Sequence, residues 1–529
     1  LMMSVSDFLK AQNEQISFLY QSVLTCHWMA ATTGDKEWSD KHERELSNYY
    51  KYFSNKQSFE LVQYYLSQKE ITSLERRQLE DLFYKMVKNQ ISLEKIKQGL
   101  ALEKKISERF TNFRPTFHNK ETTNHEILDI LKHSLNEEER KEAWLASKQI
   151  GKVIEPWIHE LIKVRNEQAK ELGFENYYEM CFNTQELDID EVFHLFEQLL
   201  QLSEDSYQKV KFEIDEERAI LFQLQKENLR PWHYVDPFFQ EAPSIENQNM
   251  DAPYKEKDIV AIVTNTFTQM GFQIEDIVKR SDLYPRKNKN PFGFCTDADR
   301  NGDIRVFANI DESAFWTSVL LHEMGHAVYF QHINNELPFL LRFHAHTLTT
   351  EASAMFFGRL NKTREWQRLF LHENEEQMKS SEKMLQRQML VSARWIILFT
   401  FFERQLYENP TQNVNKLWWK LVKDIQGINP PEETDYPDWA AKMHFSLAPV
   451  SYQDYLLGEL TASQLSHYIQ THISENIYQN EVGAFFIEKF FKPGLSMHWN
   501  DVIRSATGER LTPRYFVDEF MNNSRKGDS

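Results

Sequence analysis

The chain has 529 residues, 41% hydrophobic and 26% charged, with only 15 Gly and 16 Pro. Such a composition supports a large core with few long linkers and excludes a disordered or fibrous protein. The 79 acidic against 61 basic residues give a net charge of −18, which repels a nucleic-acid backbone or an anionic membrane surface, so neither is an expected partner.

At the start, LMMSVSDFLK has no basic segment followed by an apolar run, so no secretory signal is expected. Cys26, Cys181 and Cys295 stand far apart without the spacing of a zinc ribbon or a disulfide framework, which fits a reducing, cytoplasmic setting. Thr72 and Glu75 predict a capping box, and Leu79, Leu82, Phe83 and Met86 then recur at helix spacing, with charged residues between them out to Phe110. A second helix is predicted from about Glu137 to Leu172, with a break near Pro156 and Gly173 in the place of a C-terminal cap. Between Asn228 and Tyr254, Pro231, Pro237 and Pro253 and the aromatic group Trp232, His233, Tyr234, Phe238 and Phe239 predict a structured loop at a seam between two lobes. DIRVFANI, from Asp303 to Ile310, is the best strand candidate, and turn-like DADRNG precedes it. Helical patterning then returns almost to the end, with loops around Asn429 to Asp438 and Ala448 to Ser451. Its longest apolar patch, Trp395 to Phe402, is far short of the ~20 residues that span a bilayer.

The segment VLLHEMGHAVYF, residues 319 to 330, carries the chemistry. Asp311 and Glu312 are expected to open its helix at the positive end of the dipole. His322 and His326, at i and i+4, then share one face, where both imidazoles reach one Zn²⁺. Glu323 is rotated by roughly 100° from His322 and is free to act as a base toward water.

Two residues compete to be the third ligand. His332 stands where the metzincin pattern has its third histidine, but Tyr329 replaces the glycine that turns the chain back, so a continuing helix carries His332 about 120° off the ligand face. Glu351, in HTLTTEASAMFF, is the stronger candidate: Thr349 or Thr350 is expected to cap a new helix and place Glu351 in its first turn, completing a His₂Glu site. His344 and His346 read as loop or supporting histidines.

At this point the sequence resembles the zinc peptidases of the angiotensin-converting enzyme and thimet oligopeptidase/oligoendopeptidase group, a branch of the gluzincins. HEMGHAVYF, ELPFLLR (336 to 342), Glu351 and DIRVFANI carry the resemblance, and RNEQAKELGFENYY (165 to 178), PWHYVDPFF (231 to 239) and VGAFFIEKFFKPG (482 to 494) extend it more weakly, over roughly residues 140 to 529. It implies a mostly α-helical, two-lobed metallopeptidase with a deep central channel and a small β-sheet beside the active-site helix. An N-terminal, mainly helical lobe over 1–230 and a catalytic lobe over 231–529 are expected. Strand 303 to 310 is expected to offer an edge to substrate backbone.

KMHFSLAPVSYQDYLLGEL, residues 442 to 460, resembles the K-x-H and Y-x-x-Y segment of the same group. By that resemblance Tyr455 stabilises the oxyanion with help from His444, while Lys442 and Tyr452 face the substrate's C-terminal carboxylate. The sequence departs from converting enzymes at Met355, where they have an acid supporting a ligand histidine, and at Asp454, in place of a chloride-binding arginine. No counterpart of their carboxylate-binding glutamine is evident, and the loop from Phe292 to Asp303 differs.

The expected activity is zinc-dependent hydrolysis of short unstructured peptides with one ion, His322, His326 and Glu351 as ligands and Glu323 as acid and base. Release of C-terminal dipeptides is the main expectation. Internal cleavage by an oligoendopeptidase, or a catalytically silent peptide-binding protein, is the alternative.

Overall fold

A computed structural model describes residues 2–245 and 249–521. Four helices open the chain: α1 (Val5–Thr33), α2 (Lys36–Tyr52), α3 (Lys56–Ser67) and α4 (Ser73–Val87). After α5 (Leu93–Asn112) come a two-residue hairpin, β1 (Thr116–Phe117) and β2 (Lys120–Glu121), and α6 (Asn124–His133). The long α7 (Glu137–Glu171) and α9 (Ile189–Phe222) flank the short α8 (Tyr177–Thr184). Helices α10 (Ile259–Gln269) and α11 (Glu275–Arg280) lead to strands β3 (Phe294–Asp297) and β4 (Ile304–Phe307), then to α12 (Ala314–Gln331) and α13 (Thr347–Gly358). The rest is helical: a single turn α14 (Arg364–Trp366), α15 (Glu375–Glu408), α16 (Val414–Leu421), α17 (His444–Leu447), α18 (Gln453–Tyr468), α19 (Asn480–Phe485), α20 (Trp499–Thr507) and α21 (Arg514–Phe520). Among the described residues, no helix is long and apolar enough to cross a membrane.

These elements form two compact units, neither continuous in sequence. The first takes residues 2–90, 249–382 and 457–516; the second takes 91–245, 383–456 and 517–521. The expected boundary at 230/231 falls inside the second unit. A hydrophobic pattern marks which face of a helix is buried, and says nothing of which distant helix covers it.

In the first unit, the predicted capping box at the head of α4 is present: the Glu75 N–H donates to Thr72 Oγ1 (3.1 Å) and the Thr72 N–H to Glu75 Oε1 (3.0 Å). Leu79, Leu82 and Met86 then pack with Phe8, Leu9 and Ile16 of α1 and with Val62 and Tyr65 of α3. Full burial of each such side chain contributes about 1.5–3 kcal/mol. Phe339 and Leu340 insert into the same cluster, and Asn13 Oδ1 accepts the Leu340 N–H at 2.9 Å. Arg300, at the tip of the β3–β4 hairpin, lies 4.2 to 4.5 Å from the ring centres of Tyr20, Phe339 and Phe343 and donates to the Phe339 carbonyl (3.0 Å). The opening helices thus clamp the segment between α12 and α13.

In the second unit, α7 runs unbroken through Pro156, contrary to the predicted break. Proline forfeits one backbone hydrogen bond. Here Ile154, Ile158, Leu161 and Ile162 are buried on both sides of it, and their packing outweighs that local loss. Gly173 does adopt the left-handed conformation expected beyond the helix end (φ 88°). The aromatic loop is structured, as predicted. Buried Arg140 donates to the carbonyls of Trp232 (2.8 Å), Tyr234 (2.6 Å) and Leu131 (2.7 Å), and Asp236 accepts backbone N–H groups of Phe238, Gln240 and Glu241.

Candidate metal centre

Helix α12 starts at Ala314, with the Ser313 hydroxyl accepting the Trp316 N–H (3.1 Å). Asp311 and Glu312 therefore precede the helix; serine is the better cap because its short side chain reaches back to the third backbone N–H. Helix α13 is capped at His346, three residues before the nearer of the two expected threonines: His346 Nδ1 accepts the Leu348 N–H (3.0 Å) and Thr349 Oγ1 accepts the His346 N–H (3.1 Å). Glu351 consequently sits in the second turn of α13.

The two helices cross at very short range. A Cβ on Gly325, between the two motif histidines, would lie 2.8 Å from Ala354 Cα and 3.0 Å from the Ser353 carbonyl. The Ser353 hydroxyl donates to the Gly325 carbonyl (2.8 Å), and that of Ser318 to the Gly358 carbonyl (2.8 Å). Gly325→Ala is expected to force the helices apart and cost about 1–3 kcal/mol, measurable by denaturant unfolding, with weaker zinc binding because Glu351 moves with α13.

This crossing brings His322, His326 and Glu351 together. Their candidate ligand atoms all lie within 4.8 Å of one another; His322 Nε2 is 3.5 Å from Glu351 Oε2 and His326 Nε2 is 3.5 Å from Oε1. A tetrahedral zinc with bonds of about 2.0–2.1 Å holds its donors about 3.4 Å apart, so the donor set fits that ion. Burial holds His322 down to about 4 and His326 well below the ordinary range. Neutral imidazole is the ligand form. Burial, then the neighbouring Glu351, pushes Glu323 up to about 8; burial, then Glu459, pushes Glu351 up to about 7. A divalent cation bound between these groups reverses that electrostatic logic and favours their ionised forms.

His326 Nδ1 lies 2.7 Å from Thr350 Oγ1. With Nε2 given to the metal, Nδ1 carries the proton and donates it to the hydroxyl oxygen, which fixes the tautomer and the ring plane. Met355, at the position of the acid that supports a ligand histidine in converting enzymes, offers no such group, and the contact to His326 comes from Thr350. Thr350→Val is expected to weaken zinc binding about 10- to 100-fold, read by competition with a chromogenic chelator.

His332 is no part of this group. It caps the C-terminus of α12, and its ring lies beside Phe272 (6.0 Å). The half-buried His344 lies beside Phe343, ring centres 3.8 Å apart and tilted.

Strand β3 lies within the segment from Phe292 to Asp303, which reads as a loop in the sequence. It pairs antiparallel with β4, Phe294 opposite Phe307 and Asp297 opposite Ile304. Val306 of β4 uses its N–H on the Ser281 hydroxyl (2.9 Å) and its carbonyl on the Asp282 N–H (3.0 Å). That edge is taken. The alternation of an antiparallel ladder then turns the backbone groups of Cys295 and Asp297 to the outer edge of β3, where no backbone partner is present among the described residues. The available edge is therefore β3 and not the predicted 303–310. It lies alongside α12: a Cβ on Gly293 would meet Val319 at 2.9 Å, and Glu323 is among the groups raising the pKa of Cys295.

The other predicted residues belong to the second unit and form a cluster of their own. Lys442 Nζ donates to Gln240 Oε1 (2.9 Å) and lies 5.6 to 5.9 Å from the rings of Trp395, Phe238 and Tyr452. The Tyr452 hydroxyl accepts the Trp395 indole N–H (2.8 Å), and its ring stacks on Phe399 (4.2 Å). His444 stands edge-on to Tyr452 (5.2 Å, 89°), and burial, then Lys442, holds it down to about 4. Tyr455 is 42% exposed, leaving its ring accessible to a ligand.

Residues 130–522, most of the chain, match peptidase family M3. The chain belongs to peptidase family M3. In addition, an alignment of 261 positions that covers 43% of the chain is 25% identical to Carboxypeptidase 1 of Bacillus subtilis (strain 168). The match covers 52% of that protein, so the chain spans about half the length of this curated relative. The family match takes in α12, α13 and the 442–460 segment, so the metal-site residues and the resemblance-derived ones both lie within M3 sequence.

Proposed function

We propose that the chain is a zinc peptidase that hydrolyses bonds within short, unstructured peptides. The observation that carries the proposal is the convergence of His322, His326 and Glu351 with Glu323 one residue along the same helix, inside an M3 sequence. Zinc, when bound by these three residues, supplies Lewis acidity toward a carbonyl oxygen and toward water. Glu323 takes the proton of the attacking water and delivers it to the departing amine. Thr350 keeps His326 in the ligating tautomer. The free edge of β3 suits an extended peptide backbone, whose N–H and C=O groups would pair with Cys295 and Asp297. Tyr455 and His444 are assigned to the oxyanion on the order and spacing of their motif alone.

M3 membership supports internal cleavage over release of C-terminal dipeptides, and so displaces the main sequence-based expectation. Lys442 donates to Gln240 and the Tyr452 hydroxyl accepts from Trp395, which leaves two ammonium N–H groups and the phenol O–H able to donate to a carboxylate. The name of the Bacillus relative and the lysine itself favour the second reading, recognition of a free C-terminus. One peptide prepared as free acid and as C-terminal amide separates the two. An endopeptidase cuts both at rates within about threefold, whereas a carboxylate-reading enzyme loses at least about tenfold on the amide, the worth of one charge-assisted hydrogen bond.

A further inference from the structure

The loop joining His444 to Tyr455 contains a backbone conformation that its own side chain opposes. Val450 is fully buried and sits at φ +52°, the one β-branched residue at positive φ among the described residues. There a branched side chain crowds the backbone, and such a conformation persists only where the surroundings over-determine it. Here they do. The Val450 N–H donates to Glu403 Oε2 (3.0 Å), and its carbonyl accepts from Gln185 Nε2 (2.9 Å) and Gln453 Nε2 (3.1 Å). Four residues upstream, the Ser446 carbonyl accepts from Arg165 Nη2 (2.6 Å). The loop is thus tied to α7, to the end of α8 and to α15.

Glu403 is an unusual choice for this tie. It is completely buried on α15, and its second carboxyl oxygen has no hydrogen-bond partner among the described residues. Neither has the hydroxyl of buried Tyr178, whose own ionisation Glu403 opposes. Against this desolvation the carboxyl has one backbone N–H and the charge of Arg165, whose guanidinium also holds the Ser446 carbonyl, so its compensation comes from the groups that fix this loop. A glycine at 450 would also make the turn without strain, but would leave it free to move.

We infer that Glu403 is a positioning residue, which sets His444 and Tyr455 relative to each other by holding Val450 in its strained turn. The inference rests on the oxyanion roles proposed for those two residues. It makes the loop a stiff connector between two reacting groups, whose misplacement by about 1 Å is enough to cost about 100-fold in rate.

The test compares zinc-loaded wild type with Glu403→Leu, which removes the acceptor, and Glu403→Gln, which keeps an oxygen for the Val450 N–H. Tyr455→Phe is run in parallel. Each is measured for kcat and KM on one peptide, for zinc content, and for amide hydrogen exchange across 444–456. Glu403→Leu is expected to speed exchange at 446–453 and to lower kcat about 100-fold, with KM and zinc content within about twofold; Glu403→Gln is expected to do neither. Should Glu403→Leu fail to fold, Gln185→Ala, which removes one donor to the Val450 carbonyl, is expected to shift both readouts in the same direction by a smaller factor. Unchanged exchange overturns the clamp. Faster exchange with full kcat, while Tyr455→Phe is impaired, overturns the positioning role. If Tyr455→Phe itself keeps full kcat, the oxyanion assignment has failed, and faster exchange in Glu403→Leu still supports the clamp.

Discussion

Glu323→Gln is expected to lower kcat by at least about 10³-fold while leaving KM and one bound zinc per chain nearly unchanged. General acid–base catalysis contributes about 10²–10⁴-fold, and one residue here serves both the water and the leaving amine. The amide matches the carboxyl in size, so the packing of α12 is preserved, but it accepts no proton at neutral pH. Zinc should stay because Glu323, although beside His322 in sequence, is outside the three-residue group whose ligand atoms converge. Equal loss of kcat and kcat/KM is the signature of a group that acts only in the transition state. Loss of zinc in this variant would instead make Glu323 a ligand.

Glu351→Ala is expected to weaken zinc binding by more than about 100-fold, beyond what losing a supporting hydrogen bond does, and to abolish activity at ordinary zinc levels. The carboxylate is the only ligand from α13, and α18 packs closely on its stem: a Cβ on Gly458 would approach Glu351 Cβ to 3.0 Å. Another side chain cannot easily swing in as a substitute. Wild-type protein stripped by a chelator should regain activity with one equivalent of zinc. Zinc at about 100 times its Kd should also stabilise the wild-type fold by about 2.7 kcal/mol, and Glu351→Ala should lose most of that gain in thermal unfolding at the same zinc concentration.

The metal site was legible in the sequence because its chemistry is periodic. Two histidines at i and i+4 share a helix face whatever surrounds them, and Glu351 stood out as an acid in a second helix at the required distance along the chain. Thr350 was less visible, although it adjoins Glu351: only the crossing of α12 and α13 brings its hydroxyl to His326. Gly325 offered a signal in hindsight, since a glycine within a helix usually marks a close approach. Strand β3 was hidden by its length. Four residues cannot display an alternating pattern, and the partner that makes them a strand lies across the DADRNG turn.

At the level of architecture, helical character and the capping box at Thr72 were plain from local chemistry, whereas the division into units was not. Helices of one unit come from three separate stretches of chain, and burial patterns identify faces without identifying partners. Pro156 shows the same limit: proline's local cost is fixed, but the packing of Ile154 and Ile158 that overrides it is a long-range property. The Val450 turn left no sequence signal at all, because valine is the residue type least expected at positive φ.

Digestion of a mixture of 5- to 20-residue peptides by the zinc-loaded protein, read by mass spectrometry before and after chelation, tests the central claim most directly. New internal cleavage products that vanish with the chelator and return with zinc are the predicted result. Absence of any zinc-dependent product from the fully loaded protein would contradict it, and would make the His322, His326 and Glu351 site a structural one.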